Sequence, residues 1–384
     1  MKLFTVIFIS ISIFSEIEAQ QLAIYTDYRD RVYVFDDGKN IKVEDLKIQS
    51  YDIGGECILY INSMGHLKMY REGIVTKLEA GSVLRYRATD HLAVYSIFEK
   101  LKVVQNGVPV TLTMRCLAYQ VQDSLIVFYD KSLESLRVYY DSNLEDIESG
   151  LVGNPINKLT SGDNIIAYVS SRTNDFKIYY NGENNTILQN VESFGFGPGG
   201  GFKTGGQINK GFEFKAGKDI VAFINPLDNT FHAFYKGDLY QLDNFPPKSF
   251  KTADGFVAYI DYTDAFKVFY KGRIIEISSF APEGYFAEDK ILAFNENEYF
   301  KAFYNGEIFE VEGYIPRDYR VDWNTIAYLD NTNRIWLFTK GERRFLTNDL
   351  INNFELVRDL IIMNVKVNRN VIYYDSEFYE GMSE

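Results

Sequence analysis

The chain has 384 residues, of which 46% are hydrophobic, 16% are aromatic and 24% are charged, with a formal net charge of −13. This hydrophobic content excludes a largely disordered chain, and the negative charge argues against partners such as nucleic acid or anionic membrane surfaces. The 29 Tyr and 30 Phe residues favour strands over helices.

The first residues have the layout of a secretory signal peptide. A lone Lys2 precedes an apolar run over 3–14, and a small residue, Ala19, follows. The run is well short of the roughly 20 residues that a membrane span needs. We therefore expect a leader over 1–19, cleaved after about Ala19, and a mature chain over 20–384 without membrane insertion. The protein is then exported and is periplasmic, attached to the cell surface or secreted.

The chain has few residues suited to metal or redox chemistry. Its two cysteines, Cys57 and Cys116, both occur in strand-like segments, where a buried thiol and a disulfide are both compatible with the pattern. Together with His66, His91 and His232 they make no zinc signature. We expect no metal site and no cofactor.

A repeat of about 35 residues runs from one end of the mature chain to the other. Its marker is the turn residue that ends an aromatic strand, and successive markers are separated by 35, 34, 36, 39, 55, 35, 34, 35 and 35 residues. The markers are Gly38, Gly73, Gly107, Asn143, Gly182, Gly237, Gly272, Gly306, Gly341 and Ser376. Nine intervals of which seven lie within one residue of 35 indicate ten copies of one structural unit.

Each copy reads as four short antiparallel strands. A carboxylate such as Asp254 precedes a buried strand (FVAYID), and a polar turn leads to an aromatic strand (FKVFY). A two-residue turn follows, with Asn-Gly or Asp-Gly in several copies, and then two weaker strands. Such a sheet cannot bury both faces alone, so it must pack on its neighbours. We predict an all-β, β-propeller-like array of ten four-stranded repeats, the first lacking its leading strand, in one large ring or two smaller ones.

The copy over 163–188, DNIIAYVSSRTNDFKIYYNGENNTIL, resembles the TolB-type, WD40-like propeller repeat, and FLTND over 345–349 resembles the ending of that repeat. The resemblance extends over 21–384 but is carried by short strand motifs. It implies a propeller that serves as an envelope scaffold, a binding module or the non-catalytic domain of a peptidase. No catalytic residue carries over by position.

A glycine-rich segment over 193–211 interrupts the array between copies five and six. It is compatible with an insertion between blades, with a linker between two domains over 20–192 and 212–384, or with a ligand-binding loop. It is not a phosphate-binding loop, because no Gly-Lys-Ser/Thr follows.

A basic residue recurs near the start of the aromatic strand. The residues are Lys68, Lys102, Arg137, Lys177, Lys267 and Lys301. They could form an electropositive strip that binds an acidic partner, or they could pair with acids at the ends of preceding strands, such as Asp261 or Asp330. Trp323 and Trp336 break the repeat in copy nine and could contact a ligand or simply pack.

No nucleophile, zinc-protease or EF-hand motif is present in the sequence. We therefore predict a non-enzymatic binding or scaffold propeller of the bacterial cell envelope that recognises a protein partner through one face. The alternative is a propeller that binds or cleaves carbohydrate, since propeller glycosidases draw their acids from several blades. A sugar site would need at least two exposed aromatic residues beside carboxylates at one mouth, whereas a scaffold needs only a broad surface patch.

Overall fold

The computed structural model describes residues 22–151, 158–191, 203–204, 207–208, 212–366 and 369–381. The predicted leader, 1–19, lies outside these ranges, as does most of the glycine-rich segment 193–211. Both remain predictions, as do the domain boundaries drawn from them.

The described residues form ten antiparallel sheets of three or four strands in chain order, which we number as blades 1 to 10; blade 1 has three strands and the other nine have four. The strands of blades 1 to 5 are β1 (Leu22–Thr26), β2 (Val32–Asp36), β3 (Lys39–Glu44), β4 (Ser50–Ile53), β5 (Ile58–Ile61), β6 (Leu67–Arg71), β7 (Ile74–Glu79), β8 (Val83–Ala88), β9 (Ala93–Ile97), β10 (Lys100–Gln105), β11 (Val108–Thr113), β12 (Cys116–Val121), β13 (Leu125–Asp130), β14 (Ser135–Tyr140), β15 (Asn143–Ser149), β16 (Leu159–Gly162), β17 (Ile165–Val169), β18 (Phe176–Tyr180) and β19 (Glu183–Leu188). A short pair, β20 (Lys203–Thr204) and β21 (Gln207–Ile208), follows blade 5. The strands of blades 6 to 10 are β22 (Phe214–Gly217), β23 (Ile220–Ile224), β24 (Phe231–Tyr235), β25 (Asp238–Asp243), β26 (Ser249–Ala253), β27 (Phe256–Ile260), β28 (Phe266–Tyr270), β29 (Arg273–Ser278), β30 (Gly284–Glu288), β31 (Ile291–Glu296), β32 (Tyr299–Tyr304), β33 (Glu307–Glu312), β34 (Asp318–Asp322), β35 (Thr325–Leu329), β36 (Ile335–Thr339), β37 (Glu342–Phe345), β38 (Asn353–Val357), β39 (Leu360–Lys366), β40 (Arg369–Tyr374) and β41 (Glu377–Glu380).

The marker of the sequence repeat is the turn between the last two strands of each blade. In the Asn181–Gly182 turn both residues have positive φ, 50° and 80°, as a two-residue hairpin of this hand requires. In blade 4 the positive-φ pair is Asp141 and Ser142. The turn therefore lies one residue before the predicted marker Asn143, which is the first residue of β15.

Ten apolar clusters hold the blades together, and each one lies between two adjacent blades. Blade 5 packs on blade 6 through Phe176 and Phe223, whose ring centroids are 5.1 Å apart. Blade 1 packs on blade 10 through Phe35 and Tyr379, also at 5.1 Å. Because both junctions are packed, the sheets form one closed ring, and the predicted all-β propeller is confirmed as a ten-bladed one.

The strand order gives the ring two distinct faces. One pocket on the axis is lined by residues of all ten blades. Blades 2 to 10 contribute the ends of their first strands or the turns that follow, and blade 1 contributes Leu22 of β1. The first strand of each complete blade is thus the inner strand. Since neighbouring strands are antiparallel, the turns after the first and third strands lie at one face, here called the mouth face. The turns after the second strand and the connections between blades lie at the other, the connection face.

The inner strands approach one another closely where they reach the mouth face. A Cβ atom added to Gly162 would lie 2.0 Å from the carbonyl oxygen of Gly217, and one added to Gly217 would lie 2.2 Å from that of Ala253. Neither glycine has positive φ, so the requirement is for space rather than for backbone freedom.

Candidate functional site

Four of the six recurring basic residues of the third strands pair with a carboxylate of the preceding blade. In blades 2, 3 and 5 the amino group pairs with a glutamate at the end of the preceding blade's outer strand. These pairs are Lys68–Glu44 (2.6 Å), Lys102–Glu79 (2.6 Å) and Lys177–Glu148 (3.2 Å). In blade 7, Lys267 lies 2.6 Å from Asp261, the acid named in the sequence-based alternative, and 3.8 Å from Asp243 of blade 6. The cations are therefore engaged by carboxylates of the described residues, and a role in binding a partner stays a prediction.

The other two basic residues pair within their own blades. Arg137 lies 2.7 Å from Asp146, and Lys301 lies 2.6 Å from Glu296. The structure thus does not bring the six basic residues together on one accessible strip.

The two tryptophans of blade 9 are in different surroundings. Trp336 donates its indole N–H to Asp330 at 3.1 Å and is covered by the Arg343 guanidinium, 3.9 Å from the ring centroid. Trp323 follows β34, is 38% exposed and lines the axial pocket. Only Trp323 is therefore placed to contact a ligand in that pocket.

The axial pocket has a volume of about 560 Å³ and opens at the mouth face. Its wall is dense in charged groups. The acidic residues are Asp90, Asp123, Asp163, Asp254, Glu288, Asp289 and Asp322, and the basic ones are Arg87, Lys218, Lys290, Arg320 and Arg358. Most of these acids are the carboxylates that precede the buried strand in each sequence repeat, and the propeller brings them together because the turns that carry them all meet at the axis.

Part of this acidic ring is structural, because it ties each turn to the next. Asp123 accepts a hydrogen bond from the backbone N–H of Asp90 at 2.8 Å, and Asp322 accepts one from the N–H of Arg358 at 2.8 Å. The carboxylates therefore fix neighbouring blades to each other, a role beyond the local turn capping that the sequence predicts.

Blades 7 and 8 carry the carboxyl groups of the pocket whose pKa values are raised to about 6 or 7. Burial, together with repulsion from neighbouring carboxylates that include Asp254 and Glu288, raises the pKa of Asp289 to about 7. Burial and the charge of Asp322 raise the pKa of Glu288 to about 7, and burial with the charge of Asp163 raises that of Asp254 to about 6. These carboxyl groups titrate near neutral pH, which is a property of many functional sites.

The connection face has a different character. Ten apolar side chains that are more than half exposed lie in its turns and connections, and we call them the apolar crown. They are Leu46, Met64, Phe98, Met114, Leu133, Leu227, Phe245, Tyr262, Phe280 and Leu350. Among the described turns of the mouth face, Trp323 is the one large apolar residue that is exposed.

Two aromatic members of the crown touch each other. The rings of Phe245, in the connection between blades 6 and 7, and Tyr262, in a turn of blade 7, have centroids 4.5 Å apart. Phe280, in the next connection, is 72% exposed. The sequence analysis did not identify this surface. A signal was nevertheless present, because several connections carry an apolar residue at or beside the same position, and in three of them a proline follows shortly after.

Two kinds of feature are absent from the described residues: a cluster of metal-ligating side chains and a helix able to span a bilayer. No group of three or more His, Cys, Asp or Glu side chains there is arranged to hold a metal ion. No helix in the same part of the chain has the length and apolar character to cross a bilayer. Cys57 and Cys116 are both free thiols.

The chain belongs to the 10-bladed beta propeller domain family, whose model matches residues 16–379. This match confirms the propeller part of the sequence resemblance, while the TolB-type assignment stays a resemblance. The comparison with curated proteins gave no match.

Several solved structures are similar to this chain at low identity. The computationally designed Ika8 protein is 12% identical with a TM-score of 0.34, covering 85% of this chain and 96% of that one. Prp20p from Saccharomyces cerevisiae is 9% identical with a TM-score of 0.32, covering 66% and 81%. The CRINKLY WD40 ectodomain from the Arabidopsis thaliana receptor kinase ACR4 is 12% identical with a TM-score of 0.33, covering 70% and 97%. Likeness at this level supports no argument about partner or activity.

Proposed function

We propose that this member of the ten-bladed propeller family is a non-enzymatic binding module that docks a partner protein on its connection face. The observation that carries the proposal is the apolar crown. Three of its aromatic members, Phe245, Tyr262 and Phe280, lie in the connections and turns of blades 6 to 8, and the first two touch each other. Clustered, exposed apolar residues are typical of protein interfaces, and aromatic side chains dominate binding energy there.

The contrast between the two faces supports this assignment. Strand edges and turns expose some apolar atoms in every soluble protein, but here the strongly exposed apolar turn residues are confined to one side of the ring. A scaffold needs only such a broad patch, and the crown meets that criterion.

We also propose that the protein acts outside the cytoplasm, in the envelope of a bacterial cell. This part of the proposal rests on the signal-like pattern of residues 1–19 and on the resemblance to envelope propellers. N-terminal sequencing of the protein recovered from the producing cell's envelope fraction tests it, because an intact Met1 would contradict cleavage.

The docking proposal is tested by mapping a captured partner to the crown. Immobilised 20–384 is compared with the triple variant Phe245→Ser, Tyr262→Ser, Phe280→Ser in pull-downs from envelope extract. The control replaces three exposed apolar residues of strands outside the crown, Leu239, Ile74 and Val108, by serine. We expect the crown variant to lose a stoichiometric protein that the control keeps, with both variants melting like the parent.

A partner that binds both variants equally would contradict docking on the crown. A silent pull-down beside a positive glycan array would overturn the proposal of a protein partner altogether.

Carbohydrate binding or cleavage is the second candidate, and Trp323 is the observation that favours it. Trp323 lies at the mouth together with Asp322, Glu288 and Asp289, and an indole ring beside carboxylates is a suitable sugar platform. The pocket wall supplies this one exposed aromatic turn residue, however, where the sequence criterion asked for at least two. Loss of a glycan signal in Trp323→Ala, with the crown intact, would establish this candidate in place of the first.

A further inference from the structure

Two β-bulges distinguish the inner strands of blades 3 and 4. The register of β8 against β9 shifts between Val83 and Arg85, and that of β12 against β13 shifts between Cys116 and Ala118. The described inner strands of the other complete blades pair with their second strands without such a shift. A bulge leaves its extra residue out of the hydrogen-bonded ladder and redirects the side chain of that residue.

The residues that the two bulges redirect are both exposed leucines. Leu84 is 65% exposed and Leu117 is 47% exposed, although both belong to inner strands. Each lies opposite the end of a second strand, so both are near the connection face. A leucine side chain in contact with water adds little to the stability of its own fold, whereas its burial against another protein would stabilise a complex.

Two members of the crown extend this apolar surface. Phe98 directly follows β9, beside the bulge of β8, and Met114 lies in the two-residue connection between blades 3 and 4. The backbone N–H of Cys116 donates to the carbonyl oxygen of Glu99 at 2.7 Å, so this connection crosses the turn that holds Phe98. We call these four apolar residues the bulge patch. They are Leu84, Phe98, Met114 and Leu117.

Positive charge prevails around the bulge patch, in a chain whose net charge is −13. The exposed cations that form no ion pair with another described residue are Arg85, Lys100 and Lys131. Glu134, in the turn that also holds Lys131, is an exposed acid without an ion pair of its own there. Arg115 and Glu99 lie 3.6 Å apart and balance each other. Three cations against one acid leave an excess of two positive charges.

The crown over blades 6 to 8 has the opposite charge. Phe245, Tyr262 and Phe280 lie there, and we call them the aromatic patch. The exposed acids in the same turns and connections that pair with no cation of the described chain are Asp228, Glu283 and Glu298. Lys248 and Asp264 lie 2.5 Å apart and balance each other. The aromatic patch therefore has an excess of three negative charges.

We propose that a second copy of this chain docks on the connection face, with the bulge patch of each copy on the aromatic patch of the other. The inference rests on the proposed function, because it names the protein that docks on the crown. Both patches lie on one face of one ring, and blade 7 is three blades beyond blade 4. A twofold axis parallel to that face and midway between the patches makes both contacts at once and closes the assembly as a dimer. The opposite charges favour this pairing over contacts between like patches.

The first test measures the oligomeric state of the mature chain, 20–384, by sedimentation velocity up to about 100 μM. We expect a concentration-dependent dimer. The double variant Leu84→Ser, Leu117→Ser should raise its dissociation constant at least about tenfold, because it removes apolar area from both contacts. The matched control is Ile74→Ser, Val108→Ser, since both residues are exposed in outer strands and lie outside the patches. This control should dimerise like the parent.

The second test exchanges the charges of the two patches. One variant carries Arg85→Glu and Lys131→Glu, and the other carries Glu283→Lys and Glu298→Lys. Each alone should be monomeric, because its two patches then have charges of the same sign. An equimolar mixture should dimerise, because each patch then meets one of opposite sign. The mixture also reports on folding, since two misfolded variants would not restore each other.

The inference is overturned if 20–384 remains monomeric over this concentration range. It is also overturned if the leucine variant dimerises like its control, or if the mixture stays monomeric while each variant melts like the parent. A dimer that survives Phe245→Ser, Tyr262→Ser, Phe280→Ser would place the contact elsewhere and would overturn it as well.

Failure of this inference can be told apart from failure of crown docking. If 20–384 is monomeric but captures a different protein that the crown variant loses, docking on the crown holds and the second copy is the wrong partner. If it neither dimerises nor captures a protein through the crown, both proposals fail.

Discussion

Replacing Asp289 by asparagine should stabilise the protein above neutral pH. The folded protein raises the pKa of Asp289 from its ordinary 3.8 to about 7, through burial and the charges of Asp254 and Glu288. A shift of roughly 3 pH units corresponds to about 4 kcal/mol of unfavourable free energy for the ionised group. Solvent at the mouth and relaxation of the remaining carboxylates reduce this, so we expect a gain of about 1–3 kcal/mol at pH 8.

The sign of the pH dependence follows from the direction of the pKa change. Because the folded chain binds this proton more tightly than the unfolded chain, the penalty is complete above pH 7, where Asp289 is ionised in both states. As the pH falls from about 7 towards 4, the folded group takes up its proton and the penalty shrinks. Below the ordinary pKa of 3.8 both states are protonated, and Asp289→Asn should no longer differ from the parent.

Thermal and urea unfolding at pH 8, 6 and 4 provide the assay, with Asp238→Asn as the matched control. Asp238 is the exposed first residue of the outer strand β25, away from the axis. A gain of equal size at pH 8 and pH 4 would refute the electrostatic reasoning, because lost charge repulsion cannot stabilise a group that is already neutral. A similar gain in the control would refute the assignment to the axial cluster.

Two further substitutions test the packing of the blades. Gly217→Ala should lower the free energy of unfolding by about 1–3 kcal/mol, since the new methyl group meets the backbone of the next inner strand at 2.2 Å. The control is Gly284→Ala, because Gly284 is an inner-strand glycine with open space around it. Thermal unfolding should show that this control is neutral or slightly stabilising. Lys267→Met should lower the free energy of unfolding by about 3 kcal/mol, because it leaves the buried carboxylate of Asp261 without its cation. Lys39→Met, at an exposed position of β3, is the control and should change the midpoint of urea unfolding little.

The repeat made the blades predictable, because each blade depends on local patterns. The Asn-Gly turns, the aromatic third strands and the buried second strands all follow from residues within 35 positions of one another. The choice between one ring and two did not follow, since it depends on contacts between distant residues. Phe35 on Tyr379 closes the ring across almost the whole chain, and no local pattern reports such a contact.

The candidate site was predictable only in part, for a related reason. The sequence identifies Asp254, Asp289 and Asp322 as turn residues of successive copies, which is correct for each blade alone. That these turns converge on the axis, and that their carboxylates then repel each other, is a property of the closed ring. Lys267 was open to two interpretations, and the distance to Asp261 favours the structural one.

The distribution of charge gives the two faces separate roles. Four of the basic residues of the third strands pair with a carboxylate of the preceding blade, as Lys68 does with Glu44, and the other two pair within their own blades, so they add little net charge to either face. The mouth keeps carboxylates such as Glu288 and Asp289 that lack a hydrogen-bond donor in the described residues, and the connection face keeps its apolar residues. A rigid partner cannot contact both faces of a ring at once. A rigid partner that docks on the crown therefore leaves the mouth free.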